Sequence, residues 1–177
     1  MIEVEAKVKV NDLKYVREVT RNISHYVEKQ KKIDDYYTLE NLKGYPTKSL
    51  RIRKIKDKYI VNFKQRISYD GGVHAKKEVE FETTDINGFL GLIKDFGFKK
   101  WLRKEKQTEL YEIKDNFHIE INNVKKLGWF LEIEYLTDKK GVNKARREVG
   151  GVLKKLAVKK EDIVKDGYTK MLWDLMH

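Results

Sequence analysis

Residues 2–7 read Ile2-Glu3-Val4-Glu5-Ala6-Lys7, a strict two-residue alternation with a charge at every second position. Successive strand side chains point to opposite faces, so Glu3, Glu5 and Lys7 stand in one row about 6.7 Å apart, with Ile2, Val4 and Ala6 on the reverse. The pattern recurs. Leu50/Ile52, Val61/Phe63, Val79/Phe81, Phe117/Ile119/Ile121 and Leu131/Ile133/Tyr135 supply apolar faces. Arg51/Arg53, Asn62/Lys64, Glu78/Glu80/Glu82, His118/Glu120/Asn122 and Glu132/Glu134 supply polar ones. Such strands suit either an open sheet with one wet face or a barrel that turns its polar faces inward and covers its outside with helices. The signs favour the barrel. Glutamates gather on the first strand, on 78–82 and on 132–134, whereas arginines and lysines gather on 51–53 and 60–64. A solvated face mixes signs within a strand. Segregation by strand suits a cavity with a metal side and an anion side.

The remaining segments organise around these strands. Asn11 reads as the N-cap of a helix with the apolar stripe Leu13, Val16, Ile23 and Val27. Residues 33–39 read as extended, 49–56 and 58–67 as a hairpin, and 68–74, with Gly71-Gly72, as a flexible loop. Thr84 or Asp85 caps a helix that should bury Ile86, Phe89, Leu90, Ile93 and Phe96 and end at Gly97. Residues 98–113 form one long or two short strands, 117–122 and 129–136 form two more, and helices return near 143–157 and 168–176. Helix-sized connections are missing between most strands, so the sheet should be mostly antiparallel. The expected fold is α+β: a closed, mostly antiparallel eight-stranded β-barrel with a charged interior and flanking helices, as one domain over residues 1–177.

Composition narrows the chemistry. The absence of cysteine excludes disulfides, thiolate catalysis and Cys-based zinc sites. The four histidines lack ligand spacing, and no GxxxxGK[ST] string is present. No run approaches the ~18 apolar residues of a membrane span, and no N-terminal signal is visible, so a cytoplasmic protein is expected. The net charge of +11 calls for an anionic partner. That charge is spread along the chain, without zinc-finger spacing or an RNP-like string, so a small polyanion held inside the fold is expected rather than nucleic acid. Trp101, Trp129 and Trp173 read as core or shell aromatics rather than base-stacking platforms.

Eight elements, in order, resemble the CYTH superfamily, the triphosphate tunnel metalloenzymes. Glu3-Val4-Glu5-Ala6-Lys7 resembles its ExExK signature, and Asp34-Asp35-Tyr36-Tyr37-Thr38 its D-x-Y-F-like string. Leu50-Arg51-Ile52-Arg53, Phe63-Lys64 and Lys77-Glu78-Val79-Glu80 resemble its L-R-x-R, strand-lysine and R-E-x-E elements. Gly97-Phe98 with Lys106 and Tyr111, Leu127 through Glu134, and Gly167-Tyr168 with Met171-Leu172 complete the series. The subgroup most resembled is that of archaeal class IV adenylate cyclase-like proteins. Thr108 stands where the family's K-x-R pair has its arginine, and Asn122 where its L-D-x-V string has a carboxylate.

The resemblance implies a triphosphate tunnel, and the residue types fit one. Arginine offers a bidentate fork to phosphate and lysine a point charge. Carboxylates need a hard cation between themselves and phosphate, and oxygen ligands favour Mg²⁺ or Mn²⁺. The expected catalytic residues are Glu3, Glu5, Lys7 and Glu134; the substrate-binding residues are Lys7, Arg51, Arg53, Lys64 and Lys106. The expected metal ligands are Glu3, Glu5, Glu80, Glu132 and Glu134, with room for two ions. The leading function is a metal-dependent triphosphatase acting on inorganic or organic triphosphate, with pyrophosphate tolerated. The alternatives are class IV-type cyclisation of ATP to cyclic AMP, and non-catalytic binding of polyphosphate or RNA ends. The expected partner is a small-molecule triphosphate, and a homodimer is left open.

Overall fold

Every strand of the sheet pairs antiparallel with its neighbours. The computed structural model describes residues 1–70 and 72–177, apart from the side chains of Lys64, Gln65, Arg66, Ile67, Tyr69, Lys76 and Lys77. The expectations placed on Lys64, Lys77 and Gly71 therefore lie outside the described residues. The strands are β1 (Ile2–Lys9), β2 (His25–Thr38), β3 (Leu50–Ile55), β4 (Lys58–Asp70), β5 (Val73–Thr83), β6 (Lys99–Lys114), β7 (Phe117–Val124) and β8 (Gly128–Thr137). The helices are α1 (Leu13–Ile23), α2 (Ile86–Asp95), α3 (Val142–Lys155) and α4 (Tyr168–Asp174). The sheet curls in the order β1-β5-β4-β3-β2-β6-β7-β8, and β8 pairs back onto β1 from Ile2↔Thr137 to Lys9↔Phe130, closing the barrel. Among the described residues, no helix is long and apolar enough to cross a membrane.

The hydrophobic core lies outside the barrel, and this follows from the alternation. Ile2, Val4, Ala6 and Val8 of β1 face outward with Ile119, Ile121, Leu131 and Ile133 of β7 and β8. Ala145, Val149, Val152 and Leu153 of α3 cover them, with Leu13, Val16, Val19 and Ile23 of α1 packed at the side. Burying one such aliphatic side chain contributes about 1.5–3 kcal/mol. Since β1 places its apolar side chains under α3, the two-residue period drives Glu3, Glu5 and Lys7 into the interior.

Four expectations are corrected by the structure. Asp12, not Asn11, caps α1, accepting from the Tyr15 amide at 3.0 Å, while the Asn11 amide is drawn to Asp162 at 2.8 Å. Val27 belongs to β2, which starts at His25, because His25–Lys32 pairs with β6 even though its own sequence lacks strand alternation. The 68–74 segment is mostly strand: pairs Ser68↔Ala75, Tyr69↔His74 and Asp70↔Val73 extend the β4–β5 hairpin. In α2 only Ile93 is fully buried, and Phe96 is 71% exposed. Asp85 caps this helix, and Gly97, at φ +88, ends it with Phe98 N–H donating to the Ile93 carbonyl at 2.9 Å.

Candidate active site in the barrel interior

The inward faces enclose a cavity of about 760 Å³. Glu3, Glu5, Lys7, Arg51, Arg53, Glu80, Lys106, Glu132 and Glu134 all line it, so every described residue expected in the site is present there. The chain brings them together through strand register. Glu5 sits opposite Glu134 and Lys7 opposite Glu132 on the β1–β8 ladder, with Glu3 one inward position further along β1.

The acidic corner is formed by Glu3, Glu5 and Glu134, each offering a carboxylate oxygen within 4.8 Å of the other two. Glu3 and Glu5 are buried. Like charges this close in a sheltered site disfavour one another's ionised form, and a hard divalent cation removes that repulsion. Among the described residues this is the grouping that can supply three oxygen ligands to one ion. Glu132 and Glu80, the other two expected ligands, are placed differently. Glu132 accepts from Asn122 at 2.7 Å and Lys106 at 3.3 Å and lies 3.6 Å from Lys7 Nζ. Glu80 accepts from Asn62 at 3.2 Å and lies 3.8 Å from Arg51. Glu78, 3.7 Å from Arg51, also lines the cavity, as an interior rather than a rim residue.

The cationic side is more elaborate than the sequence pattern showed. Arg53 donates a two-pronged contact to Asp34 at 2.6 and 2.9 Å, and Lys104 reaches the same carboxylate at 2.8 Å. Asp34 is completely buried; burial opposes its ionisation, but Lys104 and Arg53 outweigh it and hold the carboxyl well below its ordinary range. Burial pushes Lys104 down to about 8, with Asp34 opposing and Lys106, Arg53 and Arg51 adding to the effect. Glu120 bridges Lys32 at 2.5 Å and Lys106 at 2.7 Å. Burial again opposes its charge, but those two lysines carry its pKa well below the usual carboxylate value. Lys106 is raised despite burial because Glu120 and Glu132 face it. Arg51, also buried, has no hydrogen-bond partner at Nε among the described residues.

Five residues of this network were absent from the expected site: Lys32, Asp34, Lys104, Glu120 and Tyr168. Lys104 and Glu120 carry a legible signal, since each stands two residues from a recognised inward position, Lys106 and Asn122. Tyr168 enters from α4, outside the sheet, where strand alternation says nothing. Burial and Glu132 raise its phenol pKa well above the ordinary value.

Thr108 and Asn122 prove to be partners. They are directly opposite on the β6–β7 ladder, both completely buried, and Thr108 Oγ1 donates to Asn122 Oδ1 at 2.6 Å. Neither lines the cavity. An arginine and a carboxylate expected from the resemblance are replaced together by a neutral, matched pair, so the substitution removes a cation and an anion at once.

Trp101 is a shell aromatic at the cavity wall. It lines the cavity with Tyr36 and Tyr45, and its indole N–H donates to Ser49 at 3.1 Å. Its ring centroid lies 6.0 Å from that of Tyr36, 5.6 Å from Tyr45 and 5.9 Å from Trp173. Trp129 lies elsewhere, under the Arg17 guanidinium at 5.3 Å.

A sequence model of the CYTH domain matches residues 1–168. Over 174 residues the chain is 29% identical to a Methanocaldococcus jannaschii protein named, provisionally, as an adenylate cyclase, covering 97% of this chain and 98% of that one. A solved structure from Pyrococcus horikoshii OT3 matches with a TM-score of 0.82 at 25% identity, over 98% of this chain and 99% of that one. A Hippeastrum protein, named provisionally as an adenylyl cyclase and described as having a dominant triphosphatase activity, shares the fold. Its TM-score is 0.65 at 16% identity, over 96% of this chain and 93% of that one.

Proposed function

The chain belongs to the CYTH family, and from that premise we propose that it is a divalent-metal-dependent triphosphatase acting on inorganic or organic triphosphate inside the barrel. The observation that carries this reading is a single cavity with three clustered carboxylates at one place and convergent arginines and lysines at another. A triphosphate carries about three to four negative charges at neutral pH, and phosphoryl transfer depends on positioning and charge neutralisation more than on covalent chemistry.

Each group has a role in that scheme. Glu3, Glu5 and Glu134 would hold Mg²⁺ or Mn²⁺, and their all-oxygen donor set fits either ion. When bound, the ion neutralises charge at phosphoryl oxygens. Arg51 lines the cavity, and its buried Nε–H has no hydrogen-bond partner among the described residues. Lys7 stands between the acidic and basic sides, two residues from Glu5 and 3.6 Å from Glu132. Arg53, Lys104 and Lys106 are held by Asp34, Glu120 and Glu132 and supply a fixed positive field. The burial of Asp34, Lys104, Lys106, Glu120 and Glu132 strengthens those interactions.

The aromatic wall of Tyr36, Tyr45 and Trp101 supports a second reading, in which the triphosphate carries an aromatic base and ATP is cyclised. Hydrolysis is favoured because it needs only the triphosphate site and water. Product analysis decides between them: purified protein is incubated with inorganic triphosphate, ATP and thiamine triphosphate, with Mg²⁺ or Mn²⁺. The proposal expects phosphate release and mainly hydrolytic products from ATP. Cyclic AMP as the dominant product overturns it in favour of cyclisation, and saturable binding without any product favours a binding protein.

A further inference from the structure

Tyr168 opens α4, and its side chain is buried, at 5% exposure, while lining the cavity. The ring has an evident purpose. Nζ of Lys7, Lys104 and Lys106 lie 4.3, 5.3 and 6.0 Å from its centroid, and Phe130 packs edge-on at 5.1 Å. An aromatic face attracts ammonium groups, so the ring lets three lysines converge on one place.

The hydroxyl is not explained by that packing. Tyr168 Oη has no hydrogen-bond partner among the described residues. The carboxylates that act on it, Glu132, Glu120 and Glu5, do not accept from it, and the neighbouring Asn122 amide can only donate. The lysine ammoniums are donors only. The Asn122 amide donates to Glu120 and Glu132, and its oxygen already accepts from Thr108. Glu120 and Glu132 are in turn engaged by Lys32, Lys106 and Asn122. A buried phenol at neutral pH is a donor, and an undonated buried O–H is unfavourable unless something arrives to accept it. What three ammonium groups attract to this place is an anionic oxygen.

We propose that the Tyr168 hydroxyl donates a hydrogen bond to a phosphoryl oxygen of the bound triphosphate, as a positioning contact beyond the arginines and lysines. The inference rests on the triphosphate reading above. It gives the Gly167-Tyr168 element a role in recognition: α4 carries a neutral, directional donor to the place where three lysines converge.

The test is Tyr168→Phe, which keeps the ring, its lysine contacts and its packing on Phe130 and removes only the hydroxyl. Calorimetric binding of inorganic triphosphate is compared with wild type, alongside urea unfolding without ligand and the tyrosine ultraviolet difference spectrum on adding triphosphate. The expected result is binding weakened roughly ten- to hundredfold, the range for a hydrogen bond to a charged group. The ligand-free unfolding midpoint stays the same or rises, and the wild-type tyrosine signal is lost. Wild-type affinity in the variant overturns the proposal. So does a large loss of ligand-free stability, which would make the hydroxyl a structural group. Absence of saturable triphosphate binding by the wild-type protein would instead sink the functional reading itself, and this contact with it.

Discussion

Replacing Asp34 by Asn tests how the cationic side is held together. The change keeps volume and one acceptor but removes the charge that Arg53 and Lys104 share at 2.6 to 2.9 Å. Asp34 and Lys104 are buried and Arg53 is largely so: side-chain exposure is 0% for Asp34, 14% for Arg53 and 6% for Lys104. Removing one member of such a pair leaves an uncompensated buried charge and costs about 3–5 kcal/mol. The low end is expected here, because Lys104, already near 8, can escape by losing its proton. That escape fixes the pH dependence. Without Asp34 the lysine pKa falls further, so over the interval between its variant and wild-type values the variant's folded state binds fewer protons. Linkage then requires the stability gap between wild type and variant to shrink as pH rises toward about 8. At the acid end the sign is opposite in origin. Asp34 has a depressed pKa, so its contribution is present above the ordinary carboxylate pKa and is lost as pH falls through the folded value. Urea unfolding followed by tryptophan fluorescence at pH 6 and pH 9 measures both states. A gap of about 3 kcal/mol at pH 6 that narrows at pH 9 is expected. An unchanged midpoint at pH 6, or a gap that widens with pH, refutes the reasoning.

Other expectations follow from the same geometry. Arg51→Ala should weaken triphosphate binding by roughly 1.5–3 kcal/mol and cost less ligand-free stability than Arg53→Ala, because Arg51 meets Glu78 and Glu80 only at 3.7 and 3.8 Å; Arg53→Ala should lose both, since Asp34 accepts its two-pronged contact at 2.6 and 2.9 Å, and paired binding and melting measurements separate the two. Triphosphate affinity should fall as pH rises through about 8, because an anion raises the pKa of Lys104 and binding there takes up a proton; calorimetry in buffers of different ionisation heat reads that proton directly. Thr108→Arg and Asn122→Asp should each destabilise, whereas the double variant should recover about 0.5–3 kcal/mol relative to their sum, as measured by a urea double-mutant cycle. Strict additivity would mean that the two positions do not act as a pair.

The charged interior was legible because the two-residue period is rigid. Once Ile2, Val4 and Ala6 are placed under α3, the directions of Glu3, Glu5 and Lys7 are fixed. The acidic triad needed one more fact, the β1–β8 register that sets Glu5 opposite Glu134, and no local pattern encodes it. The same limit explains Glu132 and Glu80. Their face was readable, but whether a carboxylate meets a metal or a lysine depends on the next strand. The pairing of Thr108 with Asn122 was hidden for the same reason: two departures 14 residues apart look independent until the β6–β7 hairpin aligns them. Helix ends were less legible than strands. Asn11 and Asp12 are both good caps, and the choice between them was made by Asp162, 151 residues away. The early part of β2 is held by its ladder to β6 rather than by its own residues, so its sequence could not announce it.

On the proposed function, Glu3, Glu5 and Glu134 form a metal site serving a triphosphate held by the basic side of the same cavity. Phosphate release from inorganic triphosphate, measured against increasing Mn²⁺ and Mg²⁺, tests it most directly in the wild-type protein and in Glu5→Gln and Glu134→Gln. Release should saturate with the metal in the wild type and be abolished in both variants, each of which should keep its cooperative unfolding transition. Wild-type turnover in both variants at saturating Mg²⁺ and Mn²⁺ would contradict it.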